Sequence, residues 1–400
     1  MTIDTATLRG LILEELPSLT SFRHDLHAHP ELGYEEERTT SVVRGELEKA
    51  GIPFQGGLAR GTGVLAHIDG KGPLSRALRA DMDALPITEE TGVPYASKTP
   101  GIMHACGHDG HTTILLGAAR VLQRIAQEKG LPHPVTFVFQ PAEEGGFAGG
   151  RAMVEDGCLD GSVLGKKVEK IFGLHGWPLF CLGTVGTREG TLLAASDSFE
   201  LTIEGKGTHA AFPHLGNDVI VAGSSIVQAF QTAVSRAVDP TEPVVVSVTQ
   251  FHAGTANNIL SPRAELSGTV RTLSDKTRSH VEATLVHLAE TTARAHGCTA
   301  SFRLVDGYPV TRNAPEAVKD FHRAALETLP DDRLIRVERP VMGGEDFSYY
   351  GEKVPACFFF LGLRPEGKTS MPSLHHPAFD FNDDALPLGI ELFCRLALGE

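Results

Sequence analysis

Between Ile102 and His111 the chain sets Cys106 and His108 two residues apart, in a segment that also holds His104, Asp109 and His111 and is loosened by Gly107 and Gly110. In an extended or irregular backbone, side chains two residues apart project to the same side, so a thiolate and an imidazole can converge on one metal ion. A structural zinc site would need a second Cys/His pair at short spacing. Cys158, Cys181 and Cys357 have no such neighbour, and the one beside Cys298, His296, lies far along the chain, so the spacing does not fit a zinc finger.

Further donors stand elsewhere. Glu143 and Glu144 follow an apolar run, and on an extended backbone they would point in opposite directions, which suits them to different tasks. One can bind metal while the other handles a proton. Hydrolysis at a metal site needs Lewis acidity to lower the pKa of a water, and a carboxylate beside that water to take and return its proton. His175 follows a wholly apolar run, and His375 stands in a loop before His376 and Pro377. Taken singly, His175 reads as a core histidine and His375 as a loop histidine. Cys106, His108, Glu144, His175 and His375 together make five groups, about enough for two metal ions that share a bridge. A thiolate held between two cations would be deprotonated outright.

The elements that must position these groups recur in one pattern: an apolar run that ends in chemically loaded residues. Leu78–Ala80 leads into Asp81-Met82-Asp83, Val135–Phe139 into Gln140-Pro141-Ala142-Glu143-Glu144, and Ile171–Leu174 into His175. Ala356–Leu361 leads, after a loop, into His375-His376-Pro377. Ligands of open α/β sheets bind beyond the carboxyl ends of the strands, so these termini can converge although far apart in sequence. Directly after the Cys/His loop, Ile114, Leu115, Ala118, Val121, Leu122 and Ile125 form one apolar helical face. The first half and the last quarter of the chain therefore read as one α/β domain with a mixed, mainly parallel sheet flanked by helices, residues 1–189 and 309–400.

The middle differs. Strands at 199–203, 244–250, 264–272 and 299–304 and helices at about 217–238 and 275–296 follow in the order β-α-β-β-α-β, a ferredoxin-like α+β unit inserted at about 190–308. Its edge strands are candidates for pairing with a second copy, which would make a dimer.

Composition narrows the function. With 400 residues, 41% of them hydrophobic, the chain can bury a sizeable core. A net charge of −14 and the lack of any basic run argue against nucleic acid. No window is apolar enough to span a bilayer, and the N-terminus lacks a secretory pattern. Six unevenly spaced cysteines do not form a disulfide framework, so a cytoplasmic protein is the expectation.

Arg79-Ala-Asp-Met-Asp-Ala-Leu-Pro86, His104-Ala-Cys-Gly-His-Asp-Gly-His111, Gln140-Pro-Ala-Glu-Glu144, Gly173-Leu-His-Gly-Trp-Pro178, Gly205-Lys-Gly-Thr-His209 with Pro213, and Gly344-Glu-Asp-Phe347 resemble the M20 family of metallopeptidases and amidohydrolases. The likeness is greatest to its hippurate hydrolases, indole-acetyl-amino-acid hydrolases and N-acetyl-diaminopimelate deacetylases. It extends from His24-Asp-Leu-His-Ala-His-Pro-Glu31 to His375-His-Pro377.

The resemblance implies a two-metal amidohydrolase with a catalytic domain and an inserted lid that dimerises, or builds a tetramer from dimers. Its metal ligands would be Cys106, His108, Glu144, His175 and His375, with Cys106 as the bridge and two divalent ions, Zn, Mn, Co or Ni, per subunit. Adjacent His376 leaves the choice of last ligand open, although Leu374-His375 fits the family pattern better. Glu143 would be general base and then acid to a metal-activated water, and Asp83 the carboxylate behind the ligands. His209, which lies in the inserted domain and could reach the metals only through lid closure or from a second subunit, the latter by the resemblance, would hydrogen-bond the oxyanion of the tetrahedral intermediate. Asn258 and Arg271 would bind a substrate carboxylate, arginine through its two-point fork. The implied reaction is hydrolysis of an N-acyl or N-aroyl amino acid, hippurate hydrolase-like. Deacetylation of an N-acetyl amino acid such as N-acetyl-diaminopimelate, or a dipeptidase or carboxypeptidase activity, is the alternative within the family. Where many relatives carry a His-x-Asp metal motif, this chain has Asp81-Met82-Asp83, and Gly343-Gly344 stands where Gly-Ser is more familiar.

Two other classes compete. Gly145-Gly146-Phe-Ala-Gly149-Gly150 after a strand suggests a nucleotide-dependent oxidoreductase, but its spacing is not G-x-G-x-x-G, and Glu143 and Glu144 just before it would repel a pyrophosphate. A catalytically silent metal-binding protein is the other, and the presence of both Glu143 and His209 argues against it.

Overall fold

Strands Gly63–Ile68, Ser75–Asp81 and Val135–Gln140 are buried at every position, the signature of strands covered on both faces. They lie inside an eight-stranded sheet in a computed structural model that describes residues 3–399. Its strand order is Phe54–Leu58, Gly63–Ile68, Val135–Gln140, Ser75–Asp81, Val168–Cys181, Ala356–Arg364, Val185–Thr187, Leu334–Arg336. Ser75–Asp81 runs parallel to both of its neighbours, and Ala356–Arg364 runs parallel to Val168–Cys181, so these strands present their carboxyl ends to one edge. Helices Thr5–Ala28, Glu37–Lys49, His108–Lys129, Pro315–Thr328 and Leu386–Leu398 belong to the same unit. The apolar face expected after the Cys/His loop is fully engaged: Ile114, Leu115, Ala118, Val121 and Leu122 are all buried and join the core.

His175 departs from its expected place at a strand terminus. The strand continues to Cys181, because Ala356–Arg364 pairs alongside it with Phe360 opposite His175. On the other side, pairing with Ser75–Asp81 stops at Arg79 opposite Gly173. His175 thus sits just past the point where one neighbour leaves off.

The chain divides into two compact units. The first takes the residues up to Leu192, Arg312–Glu338 and the chain from Asp346 onward. The second, Leu193–Thr311 with Arg339–Glu345, holds a four-stranded antiparallel sheet in the order Val244–Ala253, Arg263–Thr272, Ala195–Glu204, Thr299–Tyr308. Helices Val219–Thr232 and Asp275–Ala295 pack on it, and burial alternates along Ala195–Glu204 as expected for a sheet covered on one face. From sequence, all of 309–400 is expected in the first domain. Residues 339–345 instead join the second, where Leu193 bridges Val341 and Ala194 N–H donates to the carbonyls of Val341 and Gly343. Among the described residues no helix is long and apolar enough to cross a membrane.

Candidate metal centre

The helix His108–Lys129 starts from Gly107, whose φ of +89° is a left-handed conformation natural to glycine alone. That turn sets Cys106 before the helix and His108 on its first residue, both buried. Asp83 lies just past the strand Ser75–Asp81, and its Oδ1 and backbone oxygen lie 3.1 and 2.9 Å from His108 Nδ1. The other ring nitrogen of His108, Nε2, is buried with no hydrogen-bond partner. His175 is oriented likewise, with Nδ1 2.8 Å from the Gly176 carbonyl and Nε2 3.3 Å from Cys106 Sγ.

Glu143 and Glu144 do not diverge as an extended backbone would make them. Ala142 adopts φ +54° and Glu143 a helical φ/ψ of −71°/−42°, so the chain turns there. Both carboxylates come within 4.8 Å of each other and of a His108 nitrogen. Asp83 Oδ2 accepts the Glu144 N–H at 2.8 Å, so one aspartate braces both His108 and the glutamate turn. The glycines after the pair serve this turn: Gly145 and Gly146 both have positive φ.

His375, with φ +63°, anchors its backbone N–H on the Ala105 carbonyl and sets Nε2 3.1 Å from Glu144 Oε1. His376 turns away, its Nδ1 accepting the Ala378 N–H at 3.0 Å. Of the two adjacent histidines, His375 is therefore the one beside Glu144. All five expected ligands fall into two donor groups, Cys106/His108/His175 and Cys106/Glu144/His375, and Cys106 is common to both.

The electrostatics of this cluster fit a cation. Burial pushes the Cys106 thiol well above its ordinary range, and the Glu144, Glu143 and Asp81 carboxylates push it further. Burial works against a charged His108, but Asp81 and Asp83 outweigh it and raise the imidazole to about 10. Burial and neighbouring His111 drive His175 well below its ordinary value. A positive charge would reverse the logic at Cys106 and replace the proton on His108. Soft sulfur, borderline nitrogen and hard oxygen donors, with an orphaned buried imidazole nitrogen among them, suit divalent transition ions.

Behind the cluster stand groups that the sequence motifs contain but whose spacing assigns them no role. His111 Nε2 accepts the Gly176 N–H at 2.8 Å and Nδ1 lies 2.7 Å from Asp81 Oδ1, so both ring nitrogens are engaged by protein. Burial disfavours the Asp81 charge, yet His108, Arg79 and His111 hold it well below the carboxylate range. Arg79 also donates to Asp346 and Gln140, both at 2.8 Å. Asp109 receives Arg23 and His27, each at 2.9 Å, all three side chains buried. The signal for each is a charged or polar residue in a run otherwise destined for the core.

His209, Asn258 and Arg271 lie in the second unit. His209 belongs to a short strand, Thr208–His209, paired with Ile259–Leu260, and the neighbouring Ala210 N–H donates to the Asn258 carbonyl. Both side chains are exposed. Arg271 is half-buried on Arg263–Thr272, while Asp197 is taken at both oxygens by Arg278, at 2.7 and 2.6 Å.

The chain is similar to known proteins over nearly all of its length. N-acetylcysteine deacetylase of Bacillus subtilis is 40% identical over 383 residues, 95% of this chain and 96% of its own length. IAA-amino acid hydrolase ILR1-like 5 of Arabidopsis thaliana is 38% identical over 384 residues, 95% of this chain and 86% of its own. Among solved structures, the Bacillus subtilis YxeP protein, described as a dinuclear metal binding peptidase from M20 family, superposes with a TM-score of 0.82 at 36% identity, covering 96% of this chain and 98% of that one. The model of peptidase family M20/M25/M40 matches residues 77–399, which include all five expected ligands with Asp83 and Glu143. The chain therefore belongs to peptidase family M20/M25/M40, as a metal-dependent amidohydrolase.

Proposed function

We propose that this protein hydrolyses the amide bond of N-acyl or N-aroyl amino acids. The observation that carries the proposal is the pair of donor groups sharing Cys106, with the Glu143 carboxylate beside them. Cys106, His108, Glu144, His175 and His375 would hold two divalent ions, with Cys106 as the bridge. When bound, the ions supply Lewis acidity, which lowers the pKa of water and polarises the substrate carbonyl. Glu143 takes the proton of the attacking water and later gives it to the leaving amine nitrogen, which departs as the free amino acid. Asp83 holds His108 and the Glu144 backbone in place.

In the second unit, His209 would donate a hydrogen bond to the oxyanion, from the partner subunit of a homodimer formed through this unit. Loss of such a donor costs about 3 kcal/mol in the transition state. Asn258 and Arg271 would receive the substrate carboxylate, arginine through its two-point fork. The protein's net charge of −14 would not steer an anion toward it, so the attraction must be local. Two relatives are named for N-acetylcysteine and for IAA-amino acid, which supports an N-acylated amino acid as substrate class.

A panel of N-acetyl, N-benzoyl and indole-acetyl amino acids tests the proposal, run with chelator and with each metal restored. Hydrolysis of at least one class, abolished by chelator and returned by metal, is expected. No hydrolysis of any N-acyl amino acid by metal-loaded protein would refute it.

A further inference from the structure

The segment from Glu31 to Glu36 connects the two loops that carry the carboxylates of the metal centre. Next to Asp83, Leu32 bridges Ala84, and the Glu31 carbonyl accepts the Ala84 N–H at 2.8 Å. Next to Glu143, Gly33 lies against Ala142: a Cβ at Gly33 would sit 3.1 Å from Ala142 Cα and 2.9 Å from Phe147 Cδ2. A side chain at that position would require Ala142 or Phe147 to shift. Tyr34 adds a hydrogen bond from its hydroxyl to the Phe147 carbonyl at 3.1 Å.

Glu36 completes the link. Its carboxylate is buried, with Oε1 accepting the Ala142 N–H at 2.7 Å across 106 positions of sequence. Glu36 is also the N-cap of the helix Glu37–Lys49, where a side chain ordinarily caps its own helix, yet it makes no capping bond. Glu31 does that work instead, accepting the N–H groups of Arg38 and Thr39 at 2.9 and 2.7 Å. The Glu36 side chain is thus directed to Ala142, with Thr62 beside it. Ala142 needs holding, since its φ of +54° is one that residues with a Cβ seldom adopt. Without that turn, adjacent glutamates would point to opposite sides.

We propose that Glu36 is a positioning residue for the general base: by accepting the Ala142 N–H, it fixes the left-handed turn that brings Glu143 to the same point as Glu144. This rests on the assignment of Glu143 as base. Burial and nearby Asp83 push Glu36 up to about 7, and in either protonation state its carboxyl offers Ala142 an acceptor oxygen.

The test compares Glu36→Met, which keeps length and volume but no acceptor, with Glu36→Gln, which keeps the acceptor. For the methionine variant, kcat is expected to fall about 100-fold while KM moves less than about threefold, the pattern of a misplaced reacting group. Both metal ions should remain bound by elemental analysis, and Glu36→Gln should recover kcat to within about threefold of wild type. The Glu36→Met/Glu143→Gln double variant should be no slower than Glu143→Gln alone, because the first change acts through the second residue. Wild-type kcat in Glu36→Met beside an inactive Glu143→Gln overturns the positioning role and leaves the base standing. An active Glu143→Gln overturns the base assignment and this inference with it. Should Glu36→Met not fold, Glu36→Leu is read the same way. If neither folds while Glu36→Gln does, the role is structural and the inference fails.

Discussion

Asp83 Oδ1 lies 3.1 Å from His108 Nδ1, and the opposite ring nitrogen is buried and free of hydrogen bonds. The second oxygen of Asp83 takes the Glu144 N–H at 2.8 Å. A single carboxylate therefore sets the direction of one donor from each part of the cluster.

Asp83→Ala should accordingly weaken metal binding about 10- to 100-fold, as loss of a group behind a ligating histidine does. Competition with a graded chelator reads this directly. Unchanged affinity would mean that His108 is oriented without Asp83.

Cys106 belongs to both donor groups, so replacing it affects both ions at once. Cys106→Ser should lower the content of the two metals together, measured by elemental analysis after dialysis. Loss of one ion alone, or of neither, would sink the bridging role.

The cluster of Arg23, His27 and Asp109 predicts a pH dependence of stability. Burial opposes the charge on His27, but Asp109 and Glu89 raise its pKa from 6.5 to about 10. A folded value above the unfolded one gives stability that is full below pH 6.5 and is lost as pH rises toward 10. Asp109 has the opposite sense: burial raises it, but His27 and Arg23 hold it far below 3.8, so its contribution is present above that pH and fades in acid. Thermal melts should show wild type losing more Tm than His27→Gln between pH 6.5 and 10. Parallel curves across that window would show that His27 is not charged in the fold.

What is legible in the sequence depends on the range of the interaction responsible. The helix after Cys106 is readable, because the apolar spacing of Ile114, Leu115, Ala118 and Val121 is local and the structure buries that face. The β-α-β-β-α-β order of the middle segment is readable for the same reason. The direction of Glu143 is not, since the turn at Ala142 is tied to Glu36 at a distance of 106 residues. Nor is the length of the strand through His175, which a distant partner strand extends to Cys181. Residues 339–345 join the second unit through bonds to Leu193 and Ala194 that no local pattern announces. Which of His375 and His376 stands beside Glu144 is likewise set at a distance: the His375 backbone is bonded to Ala105, while the His376 ring accepts the Ala378 N–H.

In the proposed reaction Glu143 moves the proton while the neighbouring donors hold the metals. Steady-state hydrolysis of the best N-acyl amino acid by metal-loaded Glu143→Gln protein, with metal content measured on the same sample, separates these two roles. Unchanged metal content and a kcat lowered at least about 100-fold are expected. A rate near wild type at full metal content would contradict the assignment.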